Sequence, residues 1–181
     1  GGEVPMSWQY SGTSFSVASQ ETSPRGITWD GTHFWVIGST TDAVYKYNAA
    51  GVYQSVFFSV ASQDTAPEGI TWDGIYFWVV GRSTDQVYKY NAAGVYQNVN
   101  FSVASQENFP RGITWDGNYF YVIGDNRVVY EYTAAGVYNS VNFSTASQDP
   151  DPEGMIWDGT DLWVVGRSTD SIYKYSYLPT P

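Results

Sequence analysis

The chain holds a single histidine, His33, and no cysteine. A Ser-His-Asp mechanism would have to run through His33, and thiolate chemistry and disulfides are excluded. His33 follows the pair Asp30-Gly31, and in three further copies of the same segment its place is taken by Tyr76, Tyr119 and Asp161. It therefore reads as a turn residue. Four aspartates, Asp30, Asp73, Asp116 and Asp158, each precede a glycine. An aspartate before glycine accepts backbone N–H groups and stabilises a hairpin turn, so these acids read as structural. Trp29, Trp72, Trp115 and Trp157 stand beside them. They could stack on a sugar, but a wedge filling the space between sheets is the reading we favour. No catalytic residue and no metal ligand set is expected.

A second pattern is harder to read as packing. The residue between proline and glycine at the start of each copy runs Arg25, Glu68, Arg111, Glu153. A later loop position runs Ser39, Arg82, Asp125, Arg167. Both sets should decorate one mouth of a central channel, as a salt-bridge collar, a ligand site or both. Arg25, Glu68, Arg111, Glu153, Arg82, Asp125 and Arg167 are the ligand-binding candidates.

These positions recur because the chain is a repeat. Gly-Ile-Thr-Trp-Asp-Gly occurs at 26–31, 69–74 and 112–117, and Gly-Met-Ile-Trp-Asp-Gly at 154–159, a period of about 43 residues. Each copy predicts four short strands: A over Gly26–Trp29, B over Phe34–Ile37, C over Val44–Tyr47 and D over Val52–Val60. Strand B is apolar on both faces, which requires something packed against each side of its sheet. In strand D, period-two alternation puts Val52, Val56, Phe58 and Val60 on one face. Four such sheets set face to face around an axis make a four-bladed β-propeller of four-stranded antiparallel blades, all-β in class.

The ends complement each other. The last copy stops after strand C, Ile172–Tyr175, while Gln9, Tyr10, Thr13, Phe15 and Val17 match Val52, Tyr53, Val56, Phe58 and Val60. The N-terminal strand is expected to complete the final blade and close the ring, leaving no bare edge. A monomer is the simpler outcome. Two chains exchanging ends into an eight-bladed ring would use the same pairing.

Pro24-Arg25-Gly26-Ile27, Trp29-Asp30-Gly31, Phe34-Trp35-Val36, Val44-Tyr45-Lys46-Tyr47 and a last strand begun at Gly51 resemble the NHL-type propeller repeat. YVTN-type repeats and the gluconolactonase-like (SMP-30-type) enzymes belong to the same broad group. The resemblance implies a propeller fold; the group includes protein binders, RNA binders and hydrolases. Its lactonase-like enzymes hold a divalent metal with channel carboxylates and amides. The matching inner-strand positions here are Thr28, Thr71, Thr114 and Ile156, which do not resemble a hard-cation site.

With a net charge of −10 and only eight Lys and Arg, the chain is a poor match for a phosphate backbone, and no nucleic-acid partner is expected. No apolar run is long enough to span a bilayer, so no membrane insertion is expected. Residues 1–6 read as an expression scar or free terminus, 7–177 as one propeller domain and 178–181 as the start of a linker. The expected function is a non-enzymatic binding or display module, with carbohydrate or protein as partner, no cofactor and an extracellular, cell-surface or virion-surface location. A metal-dependent lactonase or hydrolase and a purely structural spacer are the rivals.

Overall fold

The computed structural model describes Gln9 and residues 11–178. Blade 1 is β1 (Pro24–Trp29), β2 (Phe34–Gly38), β3 (Ala43–Tyr47) and β4 (Tyr53–Ser59). Blade 2 is β5 (Pro67–Trp72), β6 (Phe77–Gly81), β7 (Gln86–Tyr90) and β8 (Tyr96–Ser102). Blade 3 is β9 (Pro110–Trp115), β10 (Tyr119–Gly124), β11 (Val128–Thr133) and β12 (Tyr138–Ser144). Blade 4 is β13 (Pro152–Trp157), β14 (Leu162–Gly166) and β15 (Ser171–Tyr175). Neighbours in sequence are neighbours in each antiparallel sheet. The chain is a four-bladed β-propeller, and the described residues contain no helix.

Hairpin chemistry sets each A–B turn. Asp30 Oδ1 accepts the N–H groups of Thr32 and His33 at 2.8 and 2.7 Å, and Gly31 takes the positive φ of 98° that a side chain would resist. Asp73, Asp116 and Asp158 accept the equivalent bonds. The B strands of blades 1 to 3 are largely buried on both faces, whereas Val165 of blade 4 is exposed, and blades join through these strands. Trp35, Ile37, Val44, Phe58 and Val60 of blade 1 pack on Ile70, Phe77, Val79, Tyr88 and Tyr90 of blade 2. The next junction repeats this with Trp78, Val80, Val87 and Val103 against Ile113, Phe120, Val122 and Tyr132.

Strand D departs from simple alternation. Ser55, Asn98 and Ser140 have φ of 56°, 54° and 67°, and the ladder slips between the Tyr45–Phe57 and Tyr47–Tyr53 pairs. This β-bulge splits the predicted face. Phe58 and Val60 are buried, whereas Val52 and Val56 are exposed, and Tyr53 turns onto Tyr45 and Tyr47.

The ends also need a correction. The fourth sheet has three strands, and residues 11–17 form no strand ladder with β15. The segment packs on blade 1 instead. Phe15 lies against Gly51 as Phe58 does against Gly94 and Phe101 against Gly136. Its ring is 5.6 Å from Tyr47, matching 5.4 Å for Phe58–Tyr90 and 5.5 Å for Phe101–Tyr132. Val17 joins the cluster of Val36, Ala43, Tyr45 and Tyr47. The segment thus occupies the outer-strand place of a blade preceding blade 1. Tyr10, the expected scar at 1–6 and the end of the expected linker at 179–181 lie outside the described residues.

Candidate functional site at the channel mouth

Each inner strand begins with a register shift immediately after its proline: Pro24 pairs with Gly38 and Gly26 with Ile37, leaving Arg25 unpaired between them. The same irregularity isolates Glu68, Arg111 and Glu153. A bulge re-aims a side chain out of the sheet's alternation, and these four side chains accordingly line one end of the central cavity, about 560 Å³. The four tryptophans Trp29, Trp72, Trp115 and Trp157 line the cavity from the other end of the same strands.

Partners at the mouth come mostly from the same blade. The Nε–H of Arg25 donates to Ser39 Oγ at 3.0 Å, and Arg111 pairs with Asp125 at the matching position. In blade 4 the arrangement is inverted, with Arg167 Nη1 3.3 Å from Glu153 Oε1. Contacts between blades are uneven. Arg111 Nη1 reaches Glu153 Oε1 at 3.1 Å, while Arg25 Nε stands 4.0 Å from Glu68 Oε2, too far for a hydrogen bond. Arg82 lies over the Phe109 ring, 5.3 Å from its centroid. Arg111 thus stands between Asp125 of its own blade and Glu153 of the next rather than between Glu68 and Glu153, and Arg25 has one long contact to Glu68.

Glu68 is the buried member of the set. Burial raises its pKa above the ordinary carboxylate value, against the opposing pull of Arg25, Arg111 and Arg82. Arg111 is held further toward its charged form by Asp125, with burial acting against it and Glu153 and Glu68 adding to the attraction.

Below the mouth the channel wall is neutral. Thr28 Oγ1 accepts the Trp72 N–H at 3.2 Å, and Thr114 Oγ1 accepts the Trp157 N–H at 3.1 Å. The threonines are thus bonds between blades. The tryptophans pack on their own B strands, Trp29 on Phe34 at 4.6 Å and Trp72 on Phe77 at 4.5 Å, while still bordering the cavity.

Some features escape the sequence. Asp151 clamps Arg167 but belongs to no repeated motif. Glu21, Asp64 and Asp149 each bind the loop between strands B and C, through Thr41, Thr84 and Thr169. Their recurrence ahead of each proline was a signal available in the repeat. The strand-C lysines lie over rings: Lys46 is 5.2 Å from Trp35 and Lys89 3.8 Å from Tyr76. Lys174 lies 5.7 Å from Trp163 and also reaches Asp161 at 2.8 Å.

No protein-family model matches the sequence, and no characterised protein matches it. Solved structures do match in shape. A catalytically inactive virginiamycin B lyase from Staphylococcus aureus, determined with quinupristin, has a TM-score of 0.58 at 16% identity over 84% of this chain and 55% of its own. Glutaminyl cyclase from Myxococcus xanthus gives 0.64 at 7% identity, over 84% and 65%. BamB from Moraxella catarrhalis gives 0.54 at 13%, over 83% and 42%. The chain thus spans 42% to 65% of the length of these proteins. The neighbours are β-propellers, consistent with the NHL-like pattern of the repeats. They also correct the expectation that the ring is not an enzyme. A lyase and a cyclase share this architecture, so the fold offers no argument against catalysis. At these identities the likeness carries the fold alone, and enzyme status is not established.

Proposed function

We propose that the propeller is a ligand-binding module whose charged channel mouth recognises a carbohydrate or protein partner. The observation that carries this reading is the incomplete pairing of two guanidiniums near Glu68. Arg25 is met by a serine hydroxyl and a distant carboxylate, and Arg82 by an aromatic face. Guanidinium donors bind carboxylate oxygens in a fixed fork, so an acidic sugar or an acidic side chain suits this mouth. Four of the acidic chain's eight basic residues belong to this set: Arg25 and Arg111 line the cavity, Arg167 reaches Glu153, and Arg82 acts on Glu68. An extracellular, cell-surface or virion-surface location belongs to the same proposal.

The test is a glycan array run beside pull-down from candidate hosts, with the wild type and the double variant Arg25→Ala/Arg82→Ala. Loss of a specific signal in the variant, with the melting temperature preserved, supports the reading. A specific ligand bound equally well by both proteins would move the site elsewhere.

A further inference from the structure

Three junctions join the four blades by one geometry, and among the described residues the fourth junction is bare. Ile70 and Ile113 are 4% and 3% exposed, whereas Ile27, at the equivalent position in blade 1, is 56% exposed. On blade 4, Ile172 is 65% exposed, although its counterparts Val44 and Val87 are fully buried. The inner strands agree. A Cβ on Gly26 would lie 3.1 Å from Gly69, and one on Gly112 would lie 3.2 Å from Gly154, but Gly154 has nothing within 4 Å. Among the described residues, blade 4 also leaves the outer edge of β15 without a neighbour in its sheet.

We infer that the open face of blade 4 takes blade 1 and the N-terminal segment of a second copy of this chain, two copies forming a head-to-tail ring of eight blades. The open faces are the two halves of the interface already repeated three times, so each complements the other. Phe15 and Val17 are already seated on blade 1 where an outer strand of a preceding blade belongs. Charge agrees as well: successive mouth residues are opposite in sign, and Glu153 of one copy would meet Arg25 of the next. Within one chain the faces stand apart, and a head-to-tail pair buries both apolar faces and leaves no bare sheet edge.

Strand register makes the inference testable. Ala43 pairs with Ser59, Gln86 with Ser102 and Val128 with Ser144. By the same register Ser171 should pair with Ser16 of the second copy. The chain has no cysteine, so introduced thiols report cleanly. Chains carrying Ser16→Cys are mixed with chains carrying Ser171→Cys, refolded together and oxidised; Ala43→Cys/Ser59→Cys serves as a control within blade 1. We expect a covalent dimer in the mixture, and light scattering of the wild type at twice the 20.2 kDa chain mass. An intrachain disulfide in Ser16→Cys/Ser171→Cys with a monomeric wild type overturns the inference in favour of closure within one chain. A control that cross-links while neither seam combination does overturns the strand pairing itself.

Discussion

The Trp72 N–H donates to Thr28 Oγ1 across the first blade junction at 3.2 Å. Trp157 and Thr114 repeat the bond two blades on. The inner strands of successive blades are thus tied by a side chain where no sheet ladder runs between them. Replacing Thr28 by valine keeps the shape and leaves the Trp72 N–H without its acceptor, a loss of about 1 kcal/mol. Thr28→Ser should retain most of the stability. Urea midpoints of the two variants check this, and equal midpoints would show the bond to be incidental.

The mouth arginines should not be equivalent. Arg111 is 11% exposed and engages Asp125 and Glu153, whereas Arg25 is 38% exposed with a single long ion pair among the described residues. Arg111→Ala is expected to cost about 1.5–3 kcal/mol, as for a charged hydrogen-bonded group. Arg25→Ala should cost about 0.5 kcal/mol. Arg25→Glu/Arg111→Glu should lower the melting temperature most at low salt. Exchanging the signs of all four mouth residues should not restore it, because Asp125 and Arg167 would then face like charges within their own blades. Full restoration would mean that contacts between blades dominate.

Two buried carboxyls should respond to pH in opposite senses. Burial would raise Glu21, but bonds from Thr41, Ser23 and Thr40 outweigh it and hold its pKa low. Its contribution is present above the ordinary carboxylate pKa and is lost as pH falls through the lowered value. Glu68 is raised, so its contribution is lost as pH rises through the raised value. Glu21→Gln should therefore destabilise at about pH 7 and matter little at about pH 3, while Glu68→Gln should stabilise at about pH 7. Unfolding curves at both pH values decide it; parallel behaviour of the two variants would contradict the assignment.

Phe58→Ala opens a hole between blades 1 and 2 and should cost about 3–5 kcal/mol. Phe15→Ala, in the same place on blade 1 but more exposed, should cost about 1–2 kcal/mol, part of the value of a fully buried side chain. Removal of residues through Val17 should add aggregation through the uncovered blade 1 face. A truncated chain with unchanged melting temperature and solubility would show that the segment's packing contributes nothing.

The repeat alone determines the blades. A strand apolar on both faces, an Asp-Gly turn and a period of about 43 residues are local signals. They impose hairpins and sheet-on-sheet packing before any long-range contact is known. The alternating series Arg25, Glu68, Arg111, Glu153 was legible for the same reason, since equivalent repeat positions must be equivalent in space. What the repeat could not show is direction and distance. The bulge at Ser55 reverses a face because one positive φ breaks the period-two rule. Glu68 is buried while Glu153 is not, because blade 2 has neighbours on both sides and blade 4 on one. The pairing of Arg111 with Asp125, and the seam at Ile27 and Ile172, likewise depend on how blades sit against one another. Identical local sequences acquire different surroundings only when the blades are placed, so the tertiary structure alone decides which copy of each motif is satisfied and which is left open.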